Sequence, residues 1–281
     1  MERNFRVVRA CATEAIRDFS WREFAPFGWI LAVQLVFLLL ALNMQSPVAM
    51  GSLGAAVRLF EGDAPVHYPR FFLYLPRAAS MVEAFLYTIV GAVLVPLSLI
   101  RIFAPMDSTL ASGGVGTRLR KAILPSLISL SLGLLLLIGW QELVGRALAP
   151  TLRAALPGFA GAALIWVLSV LGAYAITAIL LYIPVVAIGR GVTLRESLQG
   201  GIAEGAALFL YTLLFIVIFS LPALPLLLAT QILAGFIVDR LRPELIAVVL
   251  AAYAITISVA TYLTYAAAAR LHWAGQQSEG S

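Results

Sequence analysis

"GFAGAALIWVLSVLGAYAITAILLYIPVVA", residues 158–187, runs for thirty positions without a charged side chain. A bilayer's hydrocarbon core is about 30 Å thick, and a helix crosses it in roughly 20 residues. The run is continuous and does not alternate, which excludes a barrel strand, so helix must satisfy the backbone within lipid. Working outward, five more stretches of this kind lie near 26–44, 80–104, 122–141, 206–234 and 244–269. The fold class that follows is all-α: a polytopic membrane protein of six transmembrane helices with short cytoplasmic amphipathic helices. The fourth and fifth runs exceed the minimum length, which predicts tilt or a break. Pro222 and Pro225 mark the expected break in the fifth.

Composition agrees. Of 281 residues, 62% are apolar and 12% charged, where a soluble domain carries about a quarter charged. The net charge of +5 does not point to nucleic acid, because the arginines flank apolar runs rather than forming one block. The single cysteine, Cys11, excludes an intramolecular disulfide and a thiolate cluster, and reads as a small apolar residue on a helix. Arginine outnumbers lysine 18 to 1, a bias that fits a GC-rich bacterial genome.

No cleavable leader is expected, since no small-residue cleavage site follows a short apolar core. Residues 1–25 read instead as an amphipathic surface helix, with Phe5, Val8, Ala12, Ile16 and Phe19 on one face. Arg3, Arg6, Arg9 and Arg17 lie mostly off that face. Residues 26–270 form the six-helix transmembrane domain and 271–281 a C-terminal tail. Basic residues split twelve to seven in favour of the side carrying both termini. The positive-inside rule then predicts a bacterial cytoplasmic (inner) membrane protein with both termini cytoplasmic and residues 45–79 outside.

Two polar stretches repeat each other. "GVGTRLRKAI" (114–123) and "GRGVTLRESLQGG" (189–201) share Gly-x-x-Leu-Arg-x-small-aliphatic from Gly116 and from Gly191. Each precedes an odd-numbered span and follows a span with a late proline, Pro96 or Pro184. "TEAIRDF" stands in the corresponding place before the first span. This predicts three hairpins, each a short cytoplasmic surface helix and two spans. Gly116 and Gly191 would permit sharp turns. Arg120 and Arg195 would lie at headgroup depth, with Leu119 and Leu194 dipping into the acyl boundary. Gly191, Leu194, Arg195, Glu196, Ser197 and Arg120 are therefore candidate membrane-surface or partner contacts.

Pro184, Gly191, Leu194, Glu196, Ser197 and Leu198 also carry a resemblance. With six spans and an amphipathic start, the chain resembles the bacterial six-span proteins related to the membrane domain of glycerophosphodiester phosphodiesterases. The similarity covers most of the chain through short motifs. The catalytic barrel of some relatives is absent, and with it any phosphodiesterase assignment. What the resemblance implies is a fold.

Chemistry is sparse. His67 and His272 have no partner at metal-ligand spacing, so neither a metal nor a cofactor is expected. His272, beside Trp273 and Arg270, reads as a headgroup anchor. "ASGGVG" lacks the Lys-Ser/Thr of a phosphate loop. Glu83, Arg101, Glu142 and Asp239 fall near span ends, leaving no carboxylate near the midplane. Gln34, Gln141 and Gln231 read as helix–helix hydrogen bonders. Glu196 and Glu204, with Arg190 and Arg195, read as a solvated surface helix or a partner-receiving loop. In the outer segment, Tyr68, Arg70, Phe71 and Phe72 suit the interfacial belt or a protein contact.

Small residues recur every four positions at Ala252, Thr256, Ala260, Thr264 and Ala268, and again at Ser169, Ala173 and Thr177. These predict that the last span packs closely on the fourth. The expected function is a non-catalytic accessory or scaffold subunit organising lipids or partner proteins. Its partners would be membrane lipids and other membrane subunits or a second copy. The alternative is a carrier or permease-like subunit for a lipid or other hydrophobic substrate. A midplane cavity would favour the carrier, and a close-packed bundle the scaffold. A membrane-embedded enzyme ranks third, and single substitutions of His67, His272, Glu83 or Cys11 are expected to leave function standing.

Overall fold

The computed structural model describes residues 2–43, 51, 71–107, 115–156, 158–232 and 234–279. Among the described residues all regular structure is helical. Helix α1 is Glu2–Arg17 and α2 is Trp21–Leu42; α3 (Phe71–Ile89) is followed by α4 (Gly91–Phe103). Helix α5 (Val115–Leu143) passes through a π-helical turn, Val144–Leu148, into α6 (Ala149–Ala155). Then come α7 (Phe159–Leu180), α8 (Tyr182–Arg190), α9 (Leu194–Ala207) and α10 (Phe209–Ser220). A 3₁₀ turn at Leu221–Ala223 leads to α11 (Leu224–Ile232), α12 (Ala234–Arg240) and α13 (Leu245–Glu279).

Five of these segments are long and apolar enough to cross a membrane: α2, α5 through α6, α7 with α8, Phe209–Thr230, and α13. The pair α3 and α4 makes a sixth, bent by 63°. The protein is thus an all-α, multi-pass integral membrane protein, and the six segments fall on the six apolar runs. The fifth does carry a 3₁₀ turn at its prolines, but the sharp bend lies in the second. There Gly91 weakens the helix at the corner, and Pro96 lacks the N–H that the Ala92 carbonyl would accept. The Val90 carbonyl takes both the Val93 and Leu94 N–H groups at 3.1 and 3.0 Å.

The ends of the chain meet. Asp18 pairs with Arg270 at 3.4 Å, and α1 packs on α13, so both termini lie at one end of the bundle. The face of α1 turned into the bundle only partly matches the expected apolar one: among the described side chains Val8, Cys11 and Ala15 are buried, Ala12 is half-buried and Ile16 is exposed. Phe19 sits edge-on to Tyr262 at 5.3 Å. The boundaries shift too: α2 begins at Trp21, inside the 1–25 segment, and the 271–281 tail is helical through Glu279.

Burial pushes the Cys11 thiol up to about 11, with Glu14 adding to it. Since the thiolate is the nucleophile, Cys11 is expected to resist maleimide at neutral pH in the folded protein and to label only after denaturation. Rapid stoichiometric labelling of the native protein would contradict this packing.

The two polar stretches differ. Residues 116–123 are the first turns of α5, continuous with the third span, and Gly116 is an ordinary helical residue. Residues 194–207 form the separate helix α9. Only Gly191 makes the expected turn, with φ +62°. Helix α9 then lies against the fourth span at backbone distance. A Cβ on Gly201 would meet Ile183 Cα at 2.5 Å, and one on Gly205 would meet the Ile179 carbonyl oxygen at 2.2 Å. Gly201 and Gly205, four apart, therefore form a close-approach face.

In α13, Ala260, Thr264 and Ala268 are buried and Ala252 and Thr256 half-buried. Helix α13 as a whole packs most extensively on α2, α10 and α1; of the expected partner, the fourth span, it meets chiefly α8. The Thr256 and Thr264 hydroxyls donate to their own helix, to Ala252 and Ala260 carbonyls at 2.8 Å. Ala260→Leu is expected to overpack this core, at a cost of about 1–3 kcal/mol. An unchanged melting temperature in detergent would refute that. Phe71 and Phe72 are not surface contacts: they are fully buried, in a cluster with Leu38, Leu75, Ile246 and Leu250. Tyr68, Arg70 and His67 lie outside the described residues.

Candidate functional site: an intramembrane cavity

Between α3, α5, α7, α11 and α13 lies a cavity of about 770 Å³, within the 300–1,000 Å³ typical of small-molecule sites. One face of α7 lines it along its length, at Ala162, Trp166, Ser169, Ala173, Thr177 and Leu180. The spacing of three and four keeps these side chains on one stripe. Ser169, Ala173 and Thr177, expected to bring helices together, leave space here instead. At the α5–α7 contact, Gly172 makes room for the Trp140 ring. Trp140 Nε1 donates to the Leu168 carbonyl at 3.2 Å.

The cavity wall is apolar but carries hydroxyls, amides and one acid. Glu83 and Tyr87 come from α3 at one helical turn, Gln141 from α5, Tyr174 from α7, and Tyr253 and Tyr265 from α13. Ser220 Oγ donates to the Tyr174 hydroxyl at 2.6 Å. The buried indole Nε1 of Trp166 has no hydrogen-bond partner among the described residues.

Glu83 also borders a second space of about 20 Å³, lined by Gln34, Ser80, Tyr253 and Leu250. That is room for one water. Gln34 is buried and neither amide atom is hydrogen-bonded among the described residues, in place of the helix–helix bond expected of it. Its depth is readable from α2, which at 22 residues is about one membrane thick. Gln34 stands thirteen residues from Trp21 and eight from Leu42, so roughly 20 and 12 Å from the two helix ends. Glu83, which borders the same space, lies well inside its helix and not at its end. The reason is that α3 starts at Phe71, which puts Glu83 twelve residues along the helix, about 18 Å.

A second polar cluster closes the bundle at the terminal end. His272 is buried in the bundle: its Nδ1 donates to Glu204 Oε1 at 2.5 Å, and Gln276 Nε2 donates to its Nε2 at 2.8 Å. Gly189 makes room for this ring, since a Cβ there would lie 2.7 Å from His272 Nε2. Arg190 reaches Glu204 at 3.5 Å. Arg118, rather than Arg120, enters the structure. It pairs with Asp107 at 2.9 Å and donates to the Ile188 and Gly189 carbonyls at 3.1 and 3.3 Å, capping the end of α8. Lys121 donates to the Gly191 carbonyl at 3.0 Å.

The other expected contacts are distributed differently. Arg120, Arg195 and Glu196 are exposed and Leu194 is half-buried. Glu196 caps its own helix, accepting from the Thr193 N–H at 2.9 Å and hydroxyl at 2.8 Å, which hold its carboxyl below the usual range. Ser197 is fully buried, its hydroxyl donating to the Thr193 carbonyl at 2.8 Å. Sequence reasoning passed over Tyr87, Trp166, Tyr174, Tyr253 and Arg118. The one available signal was the Glu83–Tyr87 spacing, which puts an acid and a phenol on one helical face.

Comparison with family models, curated proteins and solved structures finds no match for this chain.

Proposed function

We propose that the protein is a carrier or permease-like subunit for a lipid or other hydrophobic substrate, which it holds in the cavity between α3, α5, α7, α11 and α13. The cavity carries this reading: about 770 Å³ of largely apolar volume with a few convergent polar groups. The accessory or scaffold role expected from sequence stands second, because its mark was a close-packed bundle. The proposed setting is a bacterial inner membrane with both termini cytoplasmic, on the split of basic residues. Membrane lipids, other subunits or a second copy are the proposed partners, and the six-span phosphodiesterase-related proteins the proposed relatives.

The test fills the cavity. Protein purified in mild detergent is expected to retain a hydrophobic molecule detectable by native mass spectrometry. Ala173→Trp combined with Thr177→Trp should lose it while keeping the wild-type melting temperature to within a few degrees. Equal retention by the filled variant, or no retained molecule in either, would overturn the reading.

A further inference from the structure

Among the described residues, the cavity is lined by one acid and no base. Among the described residues, no Lys, Arg or His lines it or the small space beside Glu83. No hydrogen bond or ion pair to Glu83 occurs among the described residues either. The other polar side chains lining these two spaces are neutral: phenols (Tyr87, Tyr174, Tyr253, Tyr265), amides (Gln34, Gln141) and Ser and Thr hydroxyls.

An isolated carboxylate is costly inside a membrane, and such groups mark substrate or ion sites by default. Charge balance here is met by a proton or by a cation that enters with the ligand. Aromatic side chains around a lone carboxylate are also the general means of holding an ammonium group, through the negative faces of their rings. An anionic head would meet Glu83 with no compensating base. A purely neutral ligand would leave the carboxyl without a role.

Resting on the carrier reading above, we propose that the cavity binds cationic amphiphiles, with Glu83 as the counter-ion to a quaternary or protonated amine and the apolar α7 face against the tail. Uptake is then an exchange. The Glu83 O–H bond breaks and its proton leaves to water as the cation arrives. The proton returns when the cation departs, so one positive charge occupies the site throughout. Gln34, whose amide has no hydrogen-bond partner among the described residues, lines the same small space as the carboxyl that changes state.

The experiment uses the full chain in a maltoside detergent and three probes with one tail: decyltrimethylammonium, decanol and decanoate. Binding is measured by calorimetry in buffers of different ionisation enthalpy, which counts protons released. The ammonium carries no dissociable proton, so any released proton comes from the protein. The expected result is tenfold or tighter binding of the ammonium over both other probes, with release of up to one proton. Glu83→Gln should remove both the preference and the proton release while binding decanol as wild type does. If all three probes bind alike and Glu83→Gln changes none of them, the cationic proposal is overturned and the carrier cavity stands. If none binds, both readings fall. Loss of decanol binding in Glu83→Gln would assign the residue a structural role and also overturn the proposal.

Discussion

Gly201→Ala and Gly205→Ala are each expected to lower the melting temperature in detergent by several degrees, while Gly200→Ala leaves it unchanged. The added methyl of Gly205→Ala would sit 2.2 Å from the Ile179 carbonyl oxygen, and that of Gly201→Ala 2.5 Å from Ile183 Cα. Both obstacles are backbone, so no rotamer change relieves them, and α9 must lift away from the fourth span. Overpacking of this kind costs roughly 1–3 kcal/mol, and more where the backbone itself must move. Gly200 is the internal control, because its methyl would meet only the Val186 side chain at 3.5 Å, an ordinary contact. Comparable shifts for all three variants would mean that α9 does not pack here in this register. The effect should extend to the His272–Glu204 pair, since Glu204 is carried on the same helix.

Arg118→Ala is expected to destabilise by about 2–4 kcal/mol, somewhat below the cost of breaking a fully buried ion pair. The guanidinium is 20% exposed and the Asp107 carboxyl 11%, so both are largely withdrawn from water. Removing the arginine deprives Asp107 of this partner and leaves the Ile188 and Gly189 carbonyls without their Arg118 donor. Asp107→Asn in the same background should restore part of the loss, because the polar group then buried carries no charge. Arg120→Ala, two residues away and exposed, should change stability by no more than about 0.5 kcal/mol. Denaturation in mixed micelles of these three variants and of Asp107→Asn alone measures the coupling directly. Equal effects at 118 and 120 would remove Arg118 from the structural role assigned to it.

The six crossings were legible because hydropathy is local and additive. Twenty apolar residues need lipid whatever their neighbours do, and the backbone in lipid must be helical. The Gly191 turn was legible for a similar reason, since a left-handed residue is a property of one position. The same holds for the 3₁₀ turn at Pro222 and Pro225, whose rings act on their own helix.

Which side of each helix meets which neighbour was not legible, and the functional site lies in that gap. Ala260 and Thr264 are small and closely packed; Ser169, Ala173 and Thr177 are equally small and line a cavity. A short side chain either lets a neighbouring backbone approach or leaves volume unfilled, and nothing in the residue distinguishes the two outcomes. The same ambiguity hid Arg118 behind Arg120, which are 2 residues apart in one turn and differ only in the face they occupy. Glu83 is the plainest case. Read from hydropathy, it stands near a span end, because the apolar run begins at about residue 80. In the structure α3 begins at Phe71, and the 63° bend at Val90 shares the crossing between two helices. The sequence by itself determined that this chain lives in a membrane as a helical bundle. Only the tertiary structure decided that a carboxyl lies within it beside an open volume, because depth and void depend on how helices pack rather than on what any one of them contains.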